Sequence, residues 1–318
     1  MSFVSEFKNK ILSINEENFI DSSLEIFNYQ FSQNPVYKQY CQLLKKTPES
    51  VKTIKEIPFI PIEFFKNHAI TSSRSKAQKV FLSSGTTSSD RSKHYIPDLS
   101  FYHKVAKSAF ELFFGKLSNK RLIALLPSYL EQGDSSLINM IDSFMQISAR
   151  GSDYFLNQEI EHELAQSGPK VIFGVSYALL DLRLKRNPDE TIIIETGGMK
   201  GRKKEITREE LHDQIAKNTS IKEIWSEYGM TELQSQAYGI NGDFSFPNWA
   251  KTLIREINDP FSYLEDGKTG GINVIDLANI ETCSFIETKD LGKTNQNGTF
   301  QVLGRFDNSD IRGCNLLV

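Results

Sequence analysis

The sequence predicts an α/β protein with mostly parallel sheets, helices on both faces of those sheets, and a small β-rich lobe. Three changes of pattern along the 318 residues support this fold class. Residues 1–70 show short helical patterns interrupted by prolines, residues 71–240 alternate apolar runs with helical patterns, and residues 241–318 show glycine turns between β-like runs. Alternating strands and helices favour a parallel sheet covered on both faces. We expect an N-terminal helical segment packed on an α/β core, then a β-rich lobe that ends in a short mobile tail.

The first half of the α/β part contains two predicted strand–helix pairs. The run KVFLSS from Lys79 predicts a strand, and the next helix begins at Asp98 and ends at Gly115. The run RLIALLPS from Arg121 predicts a second strand. The stretch SSLINMIDSFM after it has apolar residues at helical spacing, which predicts the second helix.

Three further strands complete the series. KVIFGVS from Lys170 precedes a helix that we expect to extend through Leu184. TIIIETGGMKG from Thr191 predicts a strand and a glycine turn, and Thr207 with Glu210 matches the capping box that starts a helix. IKEIWSEYGMTEL closes the series. Ligands in such sheets bind beyond the carboxyl ends of the strands, so we expect the polar and glycine clusters there to converge on one rim.

The net charge and the lengths of the apolar runs argue against nucleic acids and membranes as partners. A net charge of -3 provides no basic stripe for a nucleic-acid backbone. No apolar run approaches the roughly 20 residues that a bilayer requires, so we expect no membrane insertion. The N-terminus lacks the apolar core of a signal peptide, and we therefore expect a cytoplasmic protein. Three cysteines, far apart in the chain, form neither a disulfide framework nor a metal-ligand pattern.

The stretch VFLSSGTTSSDRSKH, residues 80–94, holds seven hydroxyl-bearing residues around a single glycine. Hydroxyls and backbone N–H groups here could bind phosphoryl oxygens, with Arg91 and a lysine supplying charge. The phosphate-binding residues of this hypothesis are Ser83, Ser84, Gly85, Thr86, Thr87 and Lys93. The loop lacks the second glycine and the Gly-Lys pair of a P-loop, so a Walker-type site is disfavoured. An ordinary serine-rich surface loop is the alternative.

The stretch SEYGMTEL carries a second set of candidate residues. Tyr228 offers an aromatic face, Gly229 a tight backbone, Thr231 a hydroxyl, and Glu232 a carboxylate able to hold Mg²⁺ beside substrate phosphates. A common strand-to-helix turn is the alternative interpretation.

Three further segments could provide ring and ribose contacts. Gly197 and Gly198 allow the backbone to approach a flat ring, although an ordinary glycine turn has the same pattern. Asp290 in ETKDLG could accept two ribose hydroxyls, and Arg305 in GRFDNSDIRGC offers a fixed fork for oxygen atoms. Each of these two segments alone would pass as a surface turn.

The order of these elements resembles that of the acyl-adenylate-forming superfamily, which includes acyl-CoA synthetases, luciferases and peptide-synthetase adenylation domains. The stretches LLPSYLEQGDSSL, ETGGMKGRKKEITREELH, SEYGMTELQSQAY and VLGRFDNSDIRGCNL look closer to one branch, the LuxE-type acyl-protein synthetases or long-chain-fatty-acid–protein ligases. The resemblance covers about residues 55–318. It implies the fold of the N-terminal domain of adenylate-forming enzymes without their C-terminal lobe.

The resemblance implies a role for each matching position. Ser84, Gly85, Thr86 and Thr87 would hold the phosphates of ATP. Gly197 and Gly198 would border the adenine, and Tyr228 would stack on it. Thr231 and Glu232 would bind the phosphates and Mg²⁺, and Asp290 would bind the ribose. Arg305 would bind the ribose or a phosphate, and Asp307 would lie at the hinge.

The sequence departs from the superfamily after Asp307. A C-terminal lobe with an adenylation-assisting lysine follows there in the superfamily, whereas this chain ends eleven residues later. We expect Mg²⁺, Arg305 or Lys93 to supply the positive charge of that lysine. We also expect an acyl acceptor other than CoA. Cys314 is the candidate acceptor, because a thiolate readily attacks a mixed anhydride and LuxE-type enzymes are similar in using a cysteine near the C-terminus. The alternative for Cys314 is a small buried residue.

The sequence thus predicts ATP- and Mg²⁺-dependent activation of a carboxylic acid, with a long-chain fatty acid favoured, followed by transfer of the acyl group to a cysteine thiol. An acyl reductase or another acyl-accepting protein is the expected partner. One alternative keeps the adenylation and transfers the acyl or aryl group to CoA or a carrier protein. Another is a non-catalytic subunit that binds nucleotide or acyl groups. The sequence offers no catalytic triad or zinc site around the histidines. His94 beside the hydroxyl loop could contact the acyl-phosphate region, and an exposed, inactive loop position is the alternative.

Overall fold

The structure is a computed structural model that describes residues 2–84, 91–126, 133–155, 160–184, 190–197 and 206–306. Its helices are α1 Phe3–Lys10, α2 Glu16–Gln33, α3 Pro35–Leu43, α4 Phe64–Asn67, α5 Leu99–Phe114, α6 Ser136–Met145, α7 Ile160–Leu164, α8 Ser176–Asp181 and α9 Arg208–Thr219. Its strands are β1 Ile60–Pro61, β2 Lys79–Leu82, β3 Lys93–Ile96, β4 Arg121–Leu125, β5 Asp153–Tyr154, β6 Lys170–Val175, β7 Thr191–Thr196, β8 Ile224–Tyr228, β9 Ala237–Ile240, β10 Asp243–Ser245, β11 Ala250–Arg255, β12 Gly270–Asp276, β13 Phe285–Thr294 and β14 Phe300–Arg305.

The chain divides into two compact units. One combines Met1–Ala77 with Asn248–Val318, and the other is Gln78–Pro247. The predicted N-terminal segment and most of the predicted β-rich lobe therefore share one unit. The division into three functional segments, with boundaries at residues 70 and 240, stays a prediction.

A parallel sheet forms the centre of the unit Gln78–Pro247. Strands β5, β4, β6, β7 and β8 lie side by side in that order and run parallel. Strand β9 is antiparallel to β8, and β10 is antiparallel to β9. All six residues of β6 are buried, as expected for a central strand that is covered on both faces. The predicted α/β class is therefore confirmed, with an antiparallel edge on the parallel sheet.

The first predicted strand of the series needs a correction. Strand β2 does not join the parallel sheet; it pairs antiparallel with β3 in a separate two-stranded sheet. Phe81 lies opposite His94, and both side chains are fully buried. The apolar run from Lys79 indicated a strand correctly, but its hairpin partner lies beyond the hydroxyl loop, where the sequence KHYI carries no strong strand signal.

Capping interactions define the helices that follow the strands. The Asp98 carboxylate accepts a hydrogen bond from the Phe101 N–H at 3.0 Å, and Gly115, at φ 73°, ends α5 as predicted. The capping box of α9 is present, since Thr207 and Glu210 each accept a hydrogen bond from the other's backbone N–H. The helix after β6 is shorter than predicted, because α8 ends at Asp181.

The unit of Met1–Ala77 and Asn248–Val318 contains the β-rich lobe. Strands β11 to β14 pair in chain order as an antiparallel sheet, and β1 adds a parallel pairing to β13. The buried Gln30 of α2 donates to the Asn279 and Ile280 carbonyls and accepts from the Ser284 N–H. These bonds fix α2 against this lobe.

Among the helices in the described ranges, none combines the length and apolar character needed to cross a membrane.

Candidate functional site

The carboxyl ends of three neighbouring strands meet at one edge of the parallel sheet. Val175 of β6 lies beside Thr196 of β7, and Thr196 lies beside Glu227 of β8. Ser176, Gly197 and Tyr228 are therefore brought to the same edge. Ligands bind at this edge in α/β sheets, and two of the predicted site segments are located there.

The half-buried carboxylic acid Glu227 lies on one face of the sheet at this edge. Thr196 donates its hydroxyl to Glu227 Oε2 at 2.5 Å, and Tyr238 is the register neighbour of Glu227 on β9. Burial raises the pKa of Glu227 to about 7, and the nearby Glu195 adds to this shift. A large fraction of the Glu227 side chains is therefore neutral at physiological pH.

Glu227 also limits the residue at position 229. A Cβ atom on Gly229 would lie 2.3 Å from Glu227 Oε1, so the Glu227 carboxyl group would have to shift to admit it. Tyr228 between them is partly buried, and its ring contacts Phe244 and Phe246 at centroid distances of 5.9 and 6.2 Å. The turn predicted to carry the adenine-stacking tyrosine is therefore fixed by a carboxyl group beneath it and by two aromatic rings beside it.

A second carboxylic acid, the buried Glu195, faces the opposite side of the sheet, because successive side chains of a strand alternate between faces. Ser176 Oγ lies 2.5 Å from Glu195 Oε1 and 2.7 Å from the Gly197 carbonyl oxygen. Burial raises the pKa of Glu195, and donation by the Ser176 and Ser226 hydroxyls to an ionised carboxylate would oppose the shift. Ser226 Oγ in turn lies 3.3 Å from His212 Nε2.

His94 links the β2–β3 hairpin to the turn after β8. Its side chain is fully buried, and Nδ1 lies 2.8 Å from the Thr231 carbonyl oxygen. Burial lowers the pKa of His94 to about 4, so the neutral ring donates from Nδ1 to this carbonyl at pH 7. The interpretation of His94 as an exposed loop residue is therefore wrong. The next residue in the turn, Glu232, is only 4% exposed.

The hairpin holds the two ends of the predicted phosphate loop together. Ser83 accepts a hydrogen bond from the Ser92 N–H at 2.8 Å through its hydroxyl, and its carbonyl accepts one from Arg91 Nε at 2.5 Å. Ser84 and Lys93 are exposed at the two sides of this base. Arg91, expected as a source of positive charge, thus binds backbone carbonyls at the base of the loop.

The predicted ribose residues lie in the other unit and pair with each other. Asp290 of β13 and Arg305 of β14 are register neighbours, and Arg305 Nε donates to Asp290 Oδ1 at 3.1 Å. The Arg305 side chain is 74% exposed, whereas that of Asp290 is 11% exposed. Because the Arg305 guanidinium is exposed, ligand atoms can compete for it.

The predicted site residues thus fall into three groups. Ser83, Ser84, Lys93, Gly197, Tyr228, Gly229, Thr231 and Glu232 belong to the unit Gln78–Pro247. Asp290 and Arg305 belong to the other unit. The predictions for Gly85, Thr86, Thr87, Gly198, Asp307 and Cys314 fall outside the described residues. The ligand roles of all these residues stay predictions.

The described residues are compatible with a magnesium ion that is held mainly by phosphates. Within them, no three or more His, Cys, Asp or Glu side chains form a metal-binding group. Mg²⁺ commonly uses only one or two carboxylates together with substrate phosphates, and Glu232 offers one.

Two of the three cysteines are structural. Cys41 and Cys283 are fully buried. Burial raises the pKa of the Cys41 thiol to about 12 and also raises that of Cys283. Both therefore stay protonated at physiological pH, and protonated thiols are poor nucleophiles.

Sequence reasoning missed Glu195 and Glu227 and the hydroxyl groups bonded to them. A signal for both was available, since TIIIETGG and IWSEYG each place one glutamate at the end of a buried strand, directly before a turn that contains glycine. A carboxylate within a strand that is buried on both faces needs a partner, and the partners here are Ser176 and Thr196.

Comparisons with known proteins agree with the resemblance predicted from the sequence. The family model described as "Acyl-protein synthetase, LuxE" matches residues 8–110. This match confirms the resemblance to the LuxE-type enzymes. It begins at residue 8, before the region of about residues 55–318 that carries the resemblance in the sequence. No curated protein matches the chain.

Solved structures with a similar fold are adenylate-forming ligases. ATP-bound MatB from Rhodopseudomonas palustris is 18% identical with a TM-score of 0.53, and the match covers 71% of this chain and 47% of that one. The chain thus spans about half the length of MatB. A 2-hydroxyisobutyryl-CoA ligase in complex with 2-HIB-AMP and CoA is 13% identical with a TM-score of 0.68, covering 92% of this chain and 70% of that one. At sequence identities of 18% and 13%, the similarity to these two proteins shows a shared fold alone.

Proposed function

With the LuxE resemblance confirmed, we propose that this chain activates a carboxylic acid with ATP and transfers the acyl group to a cysteine thiol. The observation that carries the proposal is the match of residues 8–110 to the LuxE acyl-protein synthetases. The shared fold with adenylate-forming ligases supports it. The substrate class is a long-chain fatty acid, and an acyl reductase or other acyl-accepting protein takes the product.

The reaction has two displacements. An oxygen of the substrate carboxylate attacks the α-phosphorus of ATP, the bond to the β-phosphate breaks, and pyrophosphate leaves. The thiolate of Cys314 then attacks the carbonyl carbon of the acyl-adenylate, forming a thioester as AMP leaves with the bonding electron pair. Positioning and electrostatic stabilisation supply most of the rate in such displacements.

The described residues supply the positioning in this scheme. The loop whose base is closed by Ser83 and Arg91 receives the phosphates, while Tyr228 stacks on the adenine. Thr231 and Glu232 lie at the phosphates, and Glu232 would hold Mg²⁺, which would neutralise phosphate charge when bound. The hydrogen bond from His94 to the Thr231 carbonyl fixes this turn at 2.8 Å. Asp290 and Arg305 take the ribose.

Exchange of labelled pyrophosphate into ATP tests the first displacement. We expect exchange that depends on added acid and increases with acids of greater chain length. Glu232→Gln is expected to reduce the rate about a hundredfold or more, because phosphate-bound charge is then poorly compensated. Glu209→Gln, on the exposed first turn of α9, is the control and should retain wild-type exchange. Absence of exchange with every acid would sink the proposal and favour a non-catalytic subunit that binds nucleotide or acyl groups.

Labelled acid with ATP tests the second displacement. We expect a hydroxylamine-labile label on the wild-type protein and none on Cys314→Ala. Cys41→Ala is a control, since its thiol is buried and protonated, and it should still acquire the label if it folds. Label on Cys314→Ala equal to that on the wild type would exclude Cys314 as the acceptor.

Transfer to CoA or a carrier protein is the second candidate function. The structural similarity to a CoA ligase solved with 2-HIB-AMP and CoA favours it. In the same assay with CoA present, this function would place the label in acyl-CoA and leave the protein unlabelled.

A further inference from the structure

The hydroxyl of Ser176 lies between two oxygen atoms that can both accept hydrogen bonds. Its Oγ is 2.5 Å from Glu195 Oε1 and 2.7 Å from the Gly197 carbonyl oxygen. A hydroxyl group has one proton and can donate to only one acceptor. The Gly197 carbonyl has no proton to give, so the second hydrogen bond requires a proton on Glu195. Glu195 then donates to Ser176, and Ser176 donates to Gly197.

The other contacts of Glu195 agree with this direction. Ser226 forms a hydrogen bond with the Glu195 carboxyl group, and His212 Nε2 lies 3.3 Å from Ser226 Oγ. With His212 donating to Ser226 and Ser226 to Glu195, every proton in the chain is directed toward the Gly197 carbonyl. Such chains strengthen each of their bonds, because each donor polarises the next.

The charges around Glu195 come from two elements. Helix α9 contributes Arg208, which favours the ionised carboxylate, and His212, which is neutral at pH 7 because burial lowers its pKa to about 4. Strand β8 contributes Glu227, whose own pKa is raised in part by the charge of Glu195. Burial is the largest influence, since Glu195 is only 4% exposed, and it raises the pKa of this group.

We propose that Glu195 acts as a neutral carboxylic acid that fixes the Gly197 carbonyl through Ser176 and so shapes the turn that receives the adenine. The inference rests on the proposed function for the role of Gly197. Glu195 is a positioning residue, because it acts through Ser176. Ionisation of Glu195 leaves the Ser176 hydroxyl with two competing acceptors, and the Gly197 carbonyl then loses its donor.

Glutamine at position 195 separates this role from that of a charged carboxylate. The amide of Glu195→Gln can donate to Ser176 and accept from Ser226, as the neutral acid does, and it cannot ionise. We expect Glu195→Gln to bind ATP within about threefold of the wild type, whereas Glu195→Ala and Ser176→Ala bind about tenfold more weakly. The wild type should lose ATP affinity as the pH rises through the raised pKa of Glu195, and Glu195→Gln should not.

Calorimetric titration with ATP and the KM for ATP in pyrophosphate exchange provide the two measurements. The loss should appear mainly in KM, with kcat changed less, and Glu209→Gln serves as the control. If Glu195→Ala does not fold, Ser176→Ala still tests the chain. A Glu195→Gln protein that binds ATP as weakly as Ser176→Ala would overturn the inference, because it would show that the charged carboxylate is needed.

Infrared difference spectroscopy tests the proton without any nucleotide. We expect the carbonyl stretching band of a protonated carboxylic acid in the wild type at neutral pH, reduced in Glu195→Gln. An unchanged band would contradict the neutral state. The infrared result does not depend on the proposed function. The proposed function fails instead if the wild type shows no acid-dependent exchange of pyrophosphate into ATP. A wild type that shows the band but binds no ATP would overturn the nucleotide part of the inference.

Discussion

At the residue scale, Glu227 and Gly229 depend on each other. The turn after β8 passes so close to the Glu227 carboxyl group that a Cβ atom at position 229 would require this group to shift. The carboxyl group stays in place because Thr196 donates to it from β7. The glycine is therefore required by a close approach at the site, since its φ angle is not in the left-handed region.

Gly229→Ala should destabilise the protein by about 1–3 kcal/mol, because the new methyl group displaces the Glu227 carboxyl group. Chemical denaturation followed by circular dichroism measures the change. Gly304→Ala is the control, since a Cβ at Gly304 meets no atom within 4 Å and should change stability by less than about 0.5 kcal/mol.

The double variant Gly229→Ala with Glu227→Ala identifies the cause. Removal of the Glu227 carboxyl group should relieve most of the cost of the alanine, which gives a coupling free energy of about 1 kcal/mol or more. Strictly additive effects of the two substitutions would argue against the contact between these positions.

At the element scale, α9 supplies one wall of the Glu195 chain. Arg208 and His212 lie in its first two turns, and its start is fixed by the capping box of Thr207 and Glu210. A helix that begins at a defined residue holds the side chains of its first turns in a defined direction. The cap therefore contributes to the position of His212 relative to Ser226.

Thr207→Ala should lower the free energy of unfolding by about 1 kcal/mol, because the Glu210 N–H loses its acceptor. Urea denaturation gives the value. Thr207→Ser keeps the hydroxyl and should remain within about 0.5 kcal/mol of the wild type. An equal loss in the serine variant would show that the hydroxyl is not the stabilising group.

At the scale of the whole molecule, buried titratable groups set the pH range of greatest stability. The pKa of Glu227 is raised from 4.5 to about 7 and that of Glu195 is raised, so the folded protein holds more protons than the unfolded chain above pH 4.5. The pKa values of His94 and His212 are lowered from 6.5 to about 4, so the folded protein holds fewer protons below pH 6.5. Stability falls with rising pH in the first case and with falling pH in the second.

The raised carboxyl pKa values lower the free energy of unfolding as the pH rises above 4.5, for Glu227 up to about pH 7, and the histidines lower it as the pH falls from 6.5 to about 4. The two effects oppose each other between about pH 4.5 and 6.5, so the free energy should change little there and decrease below and above this range, by at most about 1.4 kcal/mol per pH unit for each group. Denaturant titrations across a pH series measure this dependence. Glu227→Gln should flatten the alkaline side, whereas Glu265→Gln, at an exposed position, should not. A maximum on the alkaline side of neutrality would contradict the assignment.

The sequence predicted the elements of the parallel sheet well because their signals are local. Gly115 and the Thr207 capping box ended and began helices as expected. The sequence could not predict the partner of β2, because that partner, β3, lies on the far side of the hydroxyl loop. It also missed Glu195 and Glu227 as linked groups, since their hydroxyl partners lie on neighbouring strands or a following helix, and only the fold brings these together.

The protonated, inaccessible state of two thiols makes chemical modification of this protein simple to interpret. Cys41 and Cys283 cannot react at neutral pH while the fold is intact. Any maleimide or iodoacetamide adduct of the native chain can therefore be assigned to position 314 by elimination. Labelling of the unaltered chain therefore tests whether position 314 carries a reactive thiol, with no need to replace the other two cysteines.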